Sequence, residues 1–179
     1  QTYVYAFKEI GPNAGLIAPH AAVSIGAQTI WMHTDAFYQC AGTVVNQLTC
    51  TVWAEVFKNI NRDQQWKVHA RLNSAYNEVI WYYPSAASDE NDSYVSFNYV
   101  DGTWDMGLID RTAGIDNDVF QYPVATDPTG QLFNEEYGHD ADGAALGDYI
   151  QSGYIDIADG EQFMVVDRFF PDFGKVGPL

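Results

Sequence analysis

Basic residues are scarce in this chain. Eight lysines and arginines stand against 24 aspartates and glutamates in 179 residues, a net charge of −16. Gripping phosphate requires clustered lysine and arginine, so tight nucleic-acid binding is disfavoured. Cysteine is equally sparse, with Cys40 and Cys50 alone. Two thiols make no disulfide scaffold, and no CxxC or Cys/His ligand spacing accompanies them, so both read as small apolar residues near strand ends. Such usage fits a reducing compartment. No window approaches the run of about 18 apolar residues that a membrane-spanning helix needs. No basic stretch followed by an apolar one opens the chain, so no signal peptide is expected, and the first residue, Gln1, suggests a processed chain or a fragment. The GxSxG elbow, the Walker A loop and the GxGxxG phosphate cradle are all missing.

Aromatic rings, by contrast, are plentiful: 12 Tyr, 10 Phe and 5 Trp, or 15% of the chain. They suit pleated, half-buried surfaces and tilt the reading toward strands. The alternation predicts strands over 3–8, 21–25, 28–33, 37–40, 43–48, 67–72, 78–83, 94–100, 103–108, 121–126, 131–136, 149–156 and 162–170. Hairpins are expected at Gly26-Ala27, at Ala41-Gly42 and at Asp101-Gly102, the last as a two-residue type I′ turn. Residues 84–93 read as a polar, mobile loop. Only Val52, Trp53, Val56, Phe57 and Ile60 follow the helical period, which predicts one short helix over about 51–60 with Thr51 as its N-cap. Many short strands with a turn signal about every ten residues argue for an all-β sandwich, barrel or propeller. A sparse repeat points among these to a propeller. Phe37 and Gly42, Phe97 and Gly102, and Phe133 and Gly138 each set a Phe five residues before a Gly.

The charge is unevenly spread. Residues 1–88 hold five acids and five bases, whereas residues 89–179 hold 19 acids against Arg111, Arg168 and Lys175, so the whole net charge of −16 lies in the second half. Chemistry-bearing motifs are thin. His20, His33, His69 and His139 show no metal-ligand spacing. Asp140, Asp142 and Gly143, with Asp148 downstream, suggest a calcium loop, but the position where an EF-hand needs a Glu is Tyr149. Glu78, Glu135, Glu136, Asp110 and Asp156 are candidates for a carboxylate pair, and Trp53, Trp66, Trp81 and Trp104 for sugar stacking or for a core. Sequence supplies no distances among them. No catalytic, cofactor-binding or metal-binding residue is therefore assigned, no cofactor is expected, and the chain is read as a non-enzyme.

Specific strings carry a resemblance. Leu16-Ile17-Ala18-Pro19-His20-Ala21, Trp31-Met32, the run from Cys50-Thr51-Val52-Trp53 to Asn61-Arg62-Asp63-Gln64, and the run from Asn77-Glu78-Val79 to Pro84-Ser85 come in order. The segment 94–104, Asp140 to Ala145, and Ser152-Gly153-Tyr154-Ile155-Asp156-Ile157 follow. This ordered set resembles the tail nozzle, or hub, family of short-tailed bacteriophages, also called phage stabilisation or tail tubular B-type proteins, over almost the whole chain. The resemblance implies a β-propeller platform, with residues 1–179 forming a C-terminal-side portion of two to three blades and a trailing sheet from about 145 to 179. It implies a ring of identical copies, a hexamer in that family, located in the virion tail and assembled in the host cytoplasm. Partners would be portal-adaptor and tail-fibre or other tail proteins. Genomic DNA would pass through without sequence-specific binding, and some of the acids after Asp89 would face the passage. The alternative is a carbohydrate-binding or glycan-degrading β-protein acting on the host surface. A cleft with two buried acids and an exposed Trp platform would favour it.

Overall fold

In the computed structural model, residues 9–11, 13–138, 140, 143–145, 165, 167, 168 and 170 are described. They divide into a compact unit ending at Glu136 and a second unit beginning at Tyr137. The first unit is nearly all β. Three antiparallel sheets follow one another along the chain, each a simple meander. The first comprises β1 (Ala22–Ile25), β2 (Gln28–Met32), β3 (Phe37–Ala41) and β4 (Val44–Leu48). The second comprises β5 (His69–Asn73), β6 (Glu78–Tyr83), β7 (Ser93–Asn98) and β8 (Trp104–Leu108). The third comprises β9 (Ala113–Ile115), β10 (Val124–Thr126) and β11 (Leu132–Asn134). Among the described residues no sheet closes into a barrel. The strands expected over 3–8 and 149–156, and nearly all of the trailing sheet expected from about 145, lie outside the described residues; of the strand expected over 162–170 only residues 165, 167, 168 and 170 are described, and none of them is in a strand.

The first strands of the meanders are neighbours. β1 lies against β5 and β5 against β9. A parallel bridge joins His20 to His69, and the Ala70 amide donates to the His20 carbonyl at 2.7 Å. The last strands of the two larger sheets, β4 and β8, are largely exposed. The core fills the space between the first two sheets, with Ile30, Met32 and Phe37 on one side and Val79, Trp81, Val95 and Phe97 on the other. The Phe37 ring sits 4.8 Å from that of Trp81 and 4.6 Å from that of Trp104, in tilted geometries that aromatic quadrupoles favour. Trp81 Nε1 donates to the Ala21 carbonyl at 3.0 Å, so the buried indole leaves no polar atom unmet.

Local chemistry explains most of the departures from the sequence reading. The helix α1 (Trp53–Phe57) is shorter than expected, and its N-cap is Val52, without a side-chain cap, instead of Thr51. Its far end stops because Arg62 Nη2 takes the Phe57 carbonyl at 2.9 Å, while Ile60 leaves the helical path to bridge Ser85. A single 3-10 turn, Gln65–Lys67, follows it. The hairpin at Gly26-Ala27 stands as expected, with Ile25 paired to Gln28. The next turn is shifted by one residue, to Gly42-Thr43 between Ala41 and Val44. The β7–β8 connection is not a two-residue turn, since β7 ends at Asn98 and β8 begins at Trp104. Asn98 Oδ1 accepts the amides of Val100 and Asp101 at 3.0 and 2.9 Å, building a wider loop that Gly102 closes at φ 71°. That side-chain competition for backbone donors is what an Asp-Gly signal alone does not reveal. The segment between β6 and β7, expected to be mobile, is instead anchored. Asp92 accepts from the Ser85 amide and hydroxyl at 2.7 Å each, and Asn91 is buried beneath it.

In the second unit the Gly143 amide donates to Asp140 Oδ1 at 2.9 Å, and Arg168 lies 3.5 Å from Asp167.

Candidate functional site

Alternation along β5 sends Ala70 and Leu72 toward the core and His69, Arg71 and Asn73 toward the opposite face of the second sheet. Register extends that second face across the sheet: Arg71 pairs with Ile80, Ile80 with Ser96, and Ser96 with Asp105. Tyr82 and Tyr94 stand beside them, also paired. The third sheet approaches this face. A Cβ on Gly114 would lie 3.0 Å from Arg71 Cδ and 3.2 Å from the Val124 carbonyl oxygen, so glycine lets β9 come this close. Glu135 and Glu136, just after β11, complete a cavity of about 200 Å³ lined also by Arg71, Glu78, Tyr82, Tyr94 and Asp105.

Two charge arrangements share the cavity. Glu135 joins two arginines, with Arg111 Nε donating to Oε1 at 2.6 Å and Arg71 Nη2 lying 3.7 Å from Oε2. Arg71 Nη2 also donates to the Tyr82 hydroxyl at 3.0 Å, and the Arg111 guanidinium lies over the Phe133 ring at 4.3 Å. Glu78 and Glu136 form the other arrangement. Both accept from Asn73 Nδ2, at 3.4 and 3.1 Å. Burial raises the Glu78 pKa, and the neighbouring negative charges of Glu136 and Asp105 raise it further. The Tyr94 hydroxyl, which donates to Asp105 Oδ2 at 3.1 Å, is pushed up to about 12 by burial first and Asp105 second. Arg71 is only 2% exposed, yet its Nε and Nη1 find no protein partner, and neither does Asn73 Oδ1. Chemically, the cavity makes Glu78 hold its proton more tightly than a free carboxyl group does.

No family model matches the chain, and no curated protein does either.

Of the carboxylates named from sequence, the fold brings Glu78, Glu135 and Glu136 together and leaves the exposed Asp110 outside the cavity. Asp156 lies outside the described residues, as do His139, Asp142, Asp148 and Tyr149 of the acidic loop. Trp81 and Trp104 belong to the aromatic core. Trp53 donates to the Asp35 carbonyl at 2.6 Å, and Trp66 is exposed on a different cavity. His20 and His69 are brought together at the β1–β5 junction, whereas His33 pairs with Asp35 at 2.7 Å. No group of three His, Cys, Asp or Glu among the described residues is arranged to hold a metal ion. Cys40 and Cys50 are free thiols, and burial pushes Cys50 up to about 11. Sequence reading missed Arg71 and Asn73. Their signal was a polar residue at every second position of a strand, His69-x-Arg71-x-Asn73, where a surface-facing reading comes more readily than a buried one.

Proposed function

We propose that this chain is a structural component of the tail nozzle of a short-tailed bacteriophage, a segment of a β-propeller platform that assembles as a ring of identical copies. The observation that carries the reading is the repeated meander. Phe37, Phe97 and Phe133 each lie on the third strand of their sheet, in β3, β7 and β11. The glycine five residues after each, Gly42, Gly102 and Gly138, has a positive φ of 63°, 71° and 80°. Successive meanders whose first strands are neighbours and whose last strands are exposed are the arrangement expected of consecutive blades around an axis. The biological role in this reading rests on the resemblance of the ordered strings to the tail nozzle family.

In this reading the role is mechanical. Glu135 is committed to two arginines and ties the third sheet to the second, which is the use of a structural ion network. Some of the excess acids after Asp89 line the passage and repel phosphate over a screening length of about 8–10 Å. The outer acids are left for basic patches on adaptor or fibre proteins. The gathering of Glu78, Glu135 and Glu136 in one cavity favours the glycan-degrading alternative. Against it, Trp53 and Trp66 stand elsewhere, away from those acids. The two readings separate on two assays. Incubation with host-envelope glycan should release no reducing ends, and particles carrying acid-to-lysine replacements in the passage should assemble normally but eject DNA slowly. Saturable glycan cleavage lost on Glu78→Gln would move the assignment to the alternative.

A further inference from the structure

The second sheet ends on β8, which pairs with β7 residue for residue, from Ser93 with Leu108 to Phe97 with Trp104, with no bulge between. Two bonds at the ends of this pairing fix which way the β8 backbone points. The Asn98 amide donates to the Thr103 carbonyl at 2.9 Å, and the Ile109 amide to the Asp92 carbonyl at 3.1 Å. Bonded positions alternate along an antiparallel pair, so Thr103, Asp105, Gly107 and Ile109 turn their amides and carbonyls toward β7. Trp104, Met106 and Leu108 turn theirs outward, and among the described residues these groups have no backbone partner. The side chains of the same three residues lie on the aromatic face. Trp104 packs against Phe37 and Phe97, whereas Met106 is 39% and Leu108 84% exposed, so that face is left uncovered toward the end of the strand.

The charge around this edge has one sign. From Tyr99 to Asp110 the chain holds Asp101, Asp105 and Asp110 and no base. Asp105 lies on the polar face, in the cavity that also holds Glu78 and Glu136, and the Glu78 pKa is raised by burial and then by those two negative neighbours. The nearest base in sequence, Arg111, is committed to Glu135 at 2.6 Å. Sheet edges are ordinarily kept from pairing by lysine, proline or a bulge. β8 has none of these. Its guards are acids, which turn away another acidic chain, a second copy of this one included, and leave the edge open to a basic one. The other outer strand, β4, carries no charged residue and so selects no partner by charge.

We propose that β8 is a docking edge for an extended basic segment of a partner protein, which adds antiparallel to it as a fifth strand of the second sheet. Residues of that segment opposite Trp104, Met106 and Leu108 exchange amide and carbonyl bonds with them and lay apolar side chains over Met106 and Leu108. The residues between, opposite Asp105 and Gly107, place lysine or arginine on the other face, beside the Asp105 carboxylate. The edge thus reads an alternation of apolar and basic residues, with backbone bonds supplying affinity and the alternate side chains specificity. A helix has no use for the outward groups, because its own amides and carbonyls are consumed internally. The proposal does not depend on the platform reading, since the edge belongs to the second sheet itself.

The test is amide hydrogen exchange by NMR on the full chain, with a capped peptide of alternating valine and lysine, long enough to span β8, as the probe. In the free chain the amides of Trp104, Met106 and Leu108 should exchange fast beside protected Asp105 and Gly107. The peptide should bind saturably and slow those outward amides at least about tenfold. N-methylation of its valines, whose amides face the edge, should weaken binding at least about tenfold, and N-methylation of its lysines should leave it within about threefold. Asp105→Asn, which keeps an acceptor for the Tyr94 hydroxyl, should weaken binding at least about threefold, and a peptide with glutamate in place of lysine should not bind. Slow exchange of the outward amides in the free chain would overturn the proposal, showing the edge held by the chain's own residues or, where protection rises with protein concentration, by a second copy. Absence of saturable binding, equal binding of the glutamate peptide, or equal or reversed sensitivity to the two methylated peptides would overturn it as well.

Discussion

The two faces of the second sheet are built by the same four strands and behave as different materials. One face presents Val79, Trp81, Val95 and Phe97 to the first sheet, and the buried Trp81 has its indole N–H satisfied. The other presents His69, Arg71 and Asn73, and each of these carries at least one buried atom without a protein partner. A pleated strand offers neighbouring residues to opposite sides, so one strand can feed a dry core and a polar cavity at once. The aromatic face gains its stability from area and interdigitation, which tolerate no missing volume. The polar face gains its from pairing, which fails when one partner is lost and which varies with pH. The cavity described above opens on the polar side of β5. Stability and chemistry are thus assigned to opposite faces of one sheet.

The largest effect is expected from removing the centre of the aromatic face. Trp81→Ala should cost about 3–5 kcal/mol, the usual penalty for emptying a buried aromatic site, and chemical denaturation should show it as a reduced midpoint. Next in size is the pairing on the polar face. Glu135→Ala strands the Arg71 and Arg111 guanidinium groups and should cost about 2–4 kcal/mol, less at high ionic strength if the cavity admits solvent ions. Glu135→Gln should cost less, because it keeps an acceptor for Arg111. If Glu135→Ala proved as mild as a surface substitution, the network would not be holding the third sheet.

A smaller effect sharpens the contrast by pH. Burial, then Arg71 and His20, bring the His69 pKa from 6.5 when unfolded to about 4 when folded. As the pH falls below 6.5 the unfolded chain takes up a proton that the folded chain refuses, so the stability present above 6.5 is lost progressively down to about 4. The loss attributable to this residue is about 3 kcal/mol, and His69→Gln should flatten that part of the profile. An unaltered slope in the variant would remove His69 from the account. The smallest expected effect concerns the loop that sets β8, which sends Trp104 to the aromatic face and Asp105 to the polar one. Gly102→Val forces a β-branched residue to φ 71° and should destabilise by about 1 kcal/mol or more, measured by thermal melting.

How much of this was legible in the sequence depended on whether a feature is local. The strand Glu78–Tyr83 and the Gly26-Ala27 hairpin follow from alternation and turn residues, and they stand where those place them. β9 escaped because Ala113-Gly114-Ile115 is too short and too small to alternate, and its place is set by Arg71 packing over the glycine. The helix was overestimated because Ile60 fits the helical period but is claimed by Ser85. Glu78, Glu135 and Glu136 were named as candidates, but only the register of β5 with β6 and the approach of the third sheet make them neighbours. The acids of the second half were legible as a charge and not as roles. Asp92, Asp116 and Asp127 turn out to accept backbone amides at turns, at 2.7, 3.2 and 2.9 Å respectively. Such bonding to backbone amides, local for Asp127 and between segments for Asp92 and Asp116, consumes part of the acidity that the sequence suggests is free to face a partner or a passage.

In the proposed reading the consecutive meanders are blades of a ring platform, with the aromatic face of the second sheet buried between blades and its polar face turned toward the third. Electron cryomicroscopy of the assembled particle tests this directly. Residues 22–48, 69–108 and 113–134 should stand as successive blades about one axis, with β1, β5 and β9 innermost, in a ring of identical copies whose passage is lined by acids after Asp89. Sheets stacked as a two-layer sandwich, a passage lined by lysine and arginine, or a chain that enters no ring would contradict it.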